Sequence, residues 1–111
     1  MPDKPIDWLG SSLEDVRRFP DDARRLIGTQ LRRIQQGLMS KDWKPMASVG
    51  HGVYEVRIRS GGEYRLIYIA KFPAAVYVLH AFEKRRQATS PFDIAIAKAR
   101  LAMAIRRHTG R

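Results

Sequence analysis

The chain contains no cysteine. That removes disulfides, thiolate metal sites and thiol nucleophiles, and it suits a reducing compartment. No hydrophobic run approaches the roughly 20 residues of a membrane-spanning helix. The opening residues, MPDKPIDWLG, lack the extended apolar stretch of a secretion signal, so a soluble cytoplasmic protein with no membrane partner is expected. Histidine is scarce: His51, His80 and His108 lie far apart without clustered carboxylates, so zinc-ligand spacing is absent and no metal is expected. Gly50-His51-Gly52 and Gly61-Gly62 read as turns and fit neither a phosphate-binding loop nor a dinucleotide fingerprint. There is no nucleophile elbow, and no small-molecule cofactor is expected. Repeats, low-complexity tracts and linkers are also missing, so residues 1–111 are read as one domain.

Acidic side chains are the remaining shortage. Lys and Arg number 21 against 11 Asp and Glu, a net charge of +10. A small domain this basic points to a polyanion, whether nucleic acid, a membrane surface or an acidic protein, with a merely solubilising surplus as the alternative. The cations do not form a tail. They recur as Arg24-Arg25, Arg32-Arg33, Arg57 to Arg65, Lys84-Arg85-Arg86 and Arg106-Arg107, so a disordered basic arm is not expected.

Periodicity lays out the elements. Residues 5–9 (PIDWL) read as a short edge strand, with Pro5 tolerated at its start. Ser11 and Glu14 have capping-box spacing, predicting a short helix that Phe19-Pro20 interrupts. A second helix is expected from about Pro20 to Gln36, with Ala23, Ile27, Leu31, Ile34 and Leu38 as its buried stripe and Gly37 as its stop. Residues 38–52 show no clean period and read as a loop anchored by Trp43 and Met46. In 53–59, Tyr54, Val56 and Ile58 point one way and Val53, Glu55, Arg57 and Arg59 the other. Residues 64–71 contain the apolar run Leu66 to Ala70, expected of a strand covered on both faces, and 75–82 make a third strand. Short connections predict an antiparallel meander. Ser90 as N-cap, Pro91 in the first turn and Asp93 three residues on start a final helix, with Ile94, Ala97, Leu101 and Ile105 buried. Arg106, Arg107 and Arg111 sit near its C-terminus, where positive charge is favourable. The fold class is α+β: a mostly antiparallel sheet with an N-terminal helical hairpin and a C-terminal helix.

A basic sheet face carries the chemistry. Arg57 and Arg59 share one side of their strand, Arg65 opens the next across a tight turn, and His80 precedes Lys84-Arg85 at the end of the third. If the meander forms, Arg57, Arg65, His80, Lys84 and Arg85 converge on one edge. Such a cluster holds phosphates through charge-assisted hydrogen bonds and stabilises charge on phosphorus as a 2′-hydroxyl attacks. His80 titrates near neutrality unless perturbed, and Lys84, crowded by cations, is expected to have a lowered pKa; either can move a proton. Arg59, Lys71, Arg86 and Tyr64 complete the expected RNA contacts, with Tyr54 and Tyr64 beside the arginines as base-stacking candidates. The bland readings stay open beside these: a solvated arginine face, a structural His80, and an Arg65 paired with Glu55 or Glu63. Trp8, Trp43, Tyr68 and Tyr77 are expected in the core.

On these residues the chain resembles the RelE/ParE superfamily of type II toxins, more narrowly its phage-derived HigB-like branch. The resemblance spans nearly the whole chain, through KPIDWLGSS at 4–12, DWKPM at 42–46, GVYEVRIR at 52–59, YRLIYIAKF at 64–72 and VYVLHAFEKR at 76–85. It implies a microbial-RNase-like fold and a metal-independent endoribonuclease that cuts mRNA on the ribosome by 2′-hydroxyl attack, leaving a cyclic phosphate and inhibiting translation. The basic positions of the RelE branch fall on Arg57, Arg59, Arg65, Lys84 and Arg85. Two positions depart: Glu55 stands where RelE is basic, and the C-terminal tyrosine of RelE has no match, that segment reading Pro91-Phe92. The resemblance gives His80 part of the proton transfer, as in HigB-like relatives, and leaves acid and base unassigned. It implies a helix-turn-helix antitoxin as partner. The alternatives are a ParE-like toxin acting on DNA gyrase by protein contact and a non-catalytic RNA-binding protein of the same fold.

Overall fold

A computed structural model describes residues 3–85 and 87–110. Arg86, an expected RNA contact, and Arg111, an expected helix-end cation, lie outside the described residues. In chain order the elements are β1 (Ile6–Trp8), α1 (Ser12–Arg17), α2 (Asp21–Gln35), β2 (Trp43–Pro45), β3 (Val53–Arg59), β4 (Glu63–Ile69), β5 (Val76–Glu83) and α3 (Pro91–Thr109). The strands form one sheet in the order β1-β5-β4-β3-β2, with β1 parallel to β5 and every other pair antiparallel. This is the α+β arrangement expected, with the meander β3–β4–β5 at its centre.

Alternation along β3 sorts the layers. Val56 and Ile58 join Leu66, Tyr68, Val76 and Val78 on the face that α2 covers with Ala23, Ile27, Leu31 and Ile34. Val53, Ile67, Ile69, Tyr77 and Leu79 lie on the opposite face, under Ala97 and Ala104 of α3. From Leu66 to Ile69 the middle strand is buried on both sides, which is why that part of it is an unbroken apolar run.

Four local expectations are corrected. The Ser11–Glu14 capping box is not made: the Ser11 hydroxyl donates to Asp15 at 2.8 Å and Glu14 accepts from Arg17 at 3.0 Å. Leu38 leaves the α2 stripe and is 50% exposed. The helix closes before it, with Gly37 at φ +86° and the Gly37 and Leu38 amides donating to the carbonyls of Ile34 and Arg33. The 38–52 segment contains an edge strand, β2, so Trp43 lies across the sheet edge, 40% exposed and edge-on to Tyr54, while Met46 is buried. In α3, Ala104 takes the inward place expected for Ile105, which is exposed. The inward series 94, 97, 101, 104 follows the helical period, and small residues let the helix lie close to the sheet.

One irregularity in β5 shapes the charged face. Ile67 pairs with His80 but Tyr68 pairs with Val78, so Leu79 is an extra residue in β5. Strict alternation would put His80 with Val76 and Val78 on the α2 side. The bulge turns Leu79 and His80 both toward α3.

The α2 stripe ties the hairpin to the sheet, so Ile27→Ala should lower unfolding stability by about 3 kcal/mol. A shifted urea midpoint at unchanged slope is the expected reading.

Candidate functional site

Beyond the part of its face that α3 covers, the sheet carries charge. Three rungs run across it. The first pairs Glu55 with Ile67 and Ile67 with His80; the second pairs Arg57 with Arg65 and Arg65 with Phe82. The third pairs Arg59 with Glu63, whose carbonyl accepts the Lys84 amide at 2.7 Å. Glu55 and His80 thus stand two strand spacings apart, about 10 Å between Cα atoms. The segment entering α3 closes one side, where Phe82, Lys84, Arg85, Ser90 and Asp93 line a cleft of about 360 Å³.

The centre is a buried ion pair. Arg65, 3% exposed, donates through Nη1 to the fully buried Glu55 carboxylate and through Nη2 to Glu63 at 2.9 Å. Glu55 also accepts from the Thr89 hydroxyl at 3.1 Å and lies 3.8 Å from the Lys44 ammonium. The Arg65 Nε stays buried with no hydrogen-bond partner among the described residues. Arg65 also holds the Glu63 carboxyl below the usual carboxylate range, chiefly by hydrogen bonding. This pair meets the bland expectation that Arg65 pairs with Glu55 or Glu63, and it also places both groups within the charged rungs.

The other cations differ in how tightly they are held. Arg57 pairs with Asp42 at 2.6 Å and is partly exposed. Arg59 reaches Glu63 at 3.3 Å and Arg85 reaches Glu83 at 3.1 Å, both well exposed. The Lys84 ammonium makes no hydrogen bond or ion pair within the described residues. Its pKa is lowered first by burial and then by Arg65, while Glu55 and Glu63 pull the other way. The direction is the expected one; crowding by cations is the secondary cause.

His80 is buried, with Nε2 2.7 Å from Asp93 Oδ1 and its ring stacked on Phe82 at 5.1 Å. Asp93 also accepts from the Ser90 hydroxyl at 2.7 Å, and its own amide donates back to that hydroxyl at 3.1 Å. With Nε2 facing a carboxylate, Nε2 is the nitrogen that donates. Nδ1 is then the acceptor of the neutral ring, and it has no partner among the described residues. No group of three or more His, Asp or Glu able to hold a metal occurs among the described residues.

The sheet therefore brings Arg57, Arg65, His80 and Lys84 together, with Arg59 and Arg85 at the rim. Tyr64 and Lys71 are corrected. Tyr64 faces the α2 layer, buried against Phe19 at 4.8 Å, because neighbours along a strand point to opposite sides. Tyr54 lies on that same wrong side, between Trp43 and Tyr68. Lys71 follows the far end of β4, six residues and so about 20 Å along the chain from Arg65. Four residues escaped the sequence reading: Glu55 as a site member, Asp42, Thr89 and Asp93. Only Glu55 left a signal, its alternation with Arg57 and Arg59.

Residues 14–102 match the family described as Phage derived protein Gp49-like (DUF891). Among solved structures, the chain is similar to the free form of an E. coli toxin RelE variant with two arginines changed to alanine. The TM-score is 0.55 and the identity 18%, over 96% of this chain and 98% of that one. At that identity the likeness is one of fold. No curated protein matches the chain.

Removing one partner of a buried pair strands the other charge, so Glu55→Ala and Arg65→Ala should each cost about 3 kcal/mol. The double variant Glu55→Leu/Arg65→Met should recover most of that loss, as a double-mutant cycle in urea would reveal.

Proposed function

The chain belongs to the phage-derived Gp49-like family, a family of RelE-like toxins, and from that premise we propose that it is the toxin of a type II toxin–antitoxin pair and cuts mRNA on the ribosome. The observation that carries this reading is the set of charged rungs, with a carboxylate and an imidazole on either side of a guanidinium. A phosphodiester laid over Arg65 meets Arg57 and Lys84 as further cations. Arg65 Nε and His80 Nδ1, buried and without a hydrogen-bond partner among the described residues, hold hydrogen-bonding capacity that an opened site could use.

In the proposed reaction, incoming phosphate competes with Glu55 for Arg65. As the guanidinium turns to the phosphate, the Glu55 carboxylate is freed to accept a hydrogen bond from the 2′-hydroxyl. Glu55 takes the proton of the 2′-hydroxyl, whose oxygen attacks phosphorus. His80, held by Asp93 and protonated at Nδ1, gives a proton to the departing 5′-oxygen. Arg57, Arg65 and Lys84 stabilise the added negative charge, and a 2′,3′-cyclic phosphate remains. The ribosome places the action in the cytoplasm, and a helix-turn-helix antitoxin, as in the HigB-like branch, is the proposed partner.

Internal pairing of the arginines favours one second reading, an RNA-binding protein of the same fold that does not cleave. The gyrase-directed alternative gains nothing from the charged rungs.

The double variant Arg57→Ala/Arg85→Ala leaves the buried pair intact. Together with His80→Asn it should lower ribosome-stimulated cleavage by on the order of 100-fold and relieve growth arrest, at near-normal melting temperature. Cuts should map within translated codons and end in cyclic phosphate. Undiminished toxicity in both variants sinks the proposal, salt-sensitive RNA binding without cleavage moves it to the second reading, and intact mRNA with a DNA-damage response moves it to gyrase.

Lys84 supplies its charge below its lowered pKa and loses it as pH rises through that value, earlier than a lysine at 10.5. The alkaline limb of RNA affinity should therefore fall early, and Lys84→Arg should move it to higher pH.

A further inference from the structure

We infer that Arg100, in the middle of α3, is a positioning residue: it holds the bulge in β5 that turns His80 toward Asp93 and the charged rungs. The inference deepens the nuclease reading and rests on it only for the part His80 plays in the reaction. Arg100 itself touches no reacting atom.

The bulge is the element that needs holding. An extra residue in one strand is left out of the ladder, and moving it along by one position sends the next side chain to the opposite face. Leu79 is that extra residue, and His80 follows it directly. Two carbonyls here are bound by groups outside β4. That of Val78 accepts from the Leu9 amide at 3.0 Å and the Ser12 hydroxyl at 3.3 Å. That of Leu79 accepts from Arg100 Nη1 at 3.1 Å. Successive carbonyls of a regular strand serve opposite neighbours, so this arrangement belongs to the bulge, and Arg100 satisfies the group that the bulge creates.

Three further features fit Arg100 to this place. It stands about two helical turns after Asp93, on the same side of α3. The helix therefore grips the His80 ring through Asp93 and the backbone just before it through Arg100. Arg100 Nη2 donates to the Ser11 hydroxyl at 3.0 Å, and that hydroxyl donates to Asp15 at 2.8 Å, so the guanidinium is braced from the start of α1. Gly10, at φ +54°, leaves the room: a Cβ built there would come within 2.3 Å of Arg100 Nε. A direct phosphate contact is the poorer use of this residue, because both of its terminal nitrogens already have acceptors within the protein.

Substitutions in the full chain test this. Arg100→Met and Arg100→Leu keep a helix-forming side chain and remove every donor, while Arg100→Lys keeps a donor that can reach the Leu79 carbonyl. Arg100 is only partly buried, so all of them should fold. In the unaltered chain, nitrogen spectra of the His80 ring should place the proton on Nε2. In the Met and Leu variants that proton should distribute over both ring nitrogens. The Leu79 and His80 amide resonances should move, and the ring's Overhauser contact with Phe82 should weaken. The kcat of ribosome-stimulated cleavage should fall about tenfold with KM little changed, and Arg100→Lys should restore most of the ring signals and of the rate. Ring and amide signals that stay as in the unaltered chain overturn the inference. So does a kcat that does not fall, a loss that Arg100→Lys fails to restore, or a rise in KM alone, which would make Arg100 a substrate contact. Ring signals that respond as expected in a chain that never cleaves RNA remove the nuclease reading and leave the positioning of His80 standing. Cleavage by a chain whose ring ignores Arg100 removes the positioning role alone.

Discussion

The Glu55–Arg65 pair sets the terms for the rest of the charged face. A carboxylate and a guanidinium with almost no exposure are tolerated only because each meets the other and further partners: Thr89 and Lys44 on one side, Glu63 on the other. On the same strands Arg57 is likewise paired, with Asp42. A protein with ten surplus positive charges thus keeps its central arginine occupied by its own acid. In the proposed reaction the same pairing becomes useful, since phosphate can release the carboxylate only by replacing it at Arg65.

The first turn of α3 links the two ends of this site. Thr89, just before it, holds Glu55, and Asp93, within it, holds His80 while closing the helix cap with Ser90. The residues that start the helix therefore also fix the two proton-transfer candidates.

Much of the layering was legible from period alone. Alternation in β3 separated Tyr54, Val56 and Ile58 from Glu55, Arg57 and Arg59, and the apolar run of β4 identified the central strand. Parity also contained the answer for Tyr64, because it is adjacent to Arg65 on the same strand. Other features were not legible. Period gives the face a residue occupies but not which side chains meet across strands, so an Arg65 pair with Glu55 or with Glu63 stayed one option among several, and Glu55 read as a departure from a basic pattern when its carboxylate meets the Arg65 guanidinium. The His80 side chain depends on a one-residue bulge, and no local pattern in AVYVLHAF marks where the extra residue falls.

The sequence by itself determined the composition of the layers, the excess of positive charge and the chemical types available for catalysis. These depend on short-range periodicity and residue identity. Tertiary structure alone decided that Glu55 pairs with Arg65, that Asp93 holds His80, and that the bulge at Leu79 turns His80 toward α3. Each depends on register or on contacts between residues distant along the chain, and the energy that selects them is realised only once the sheet and both helical layers are in place.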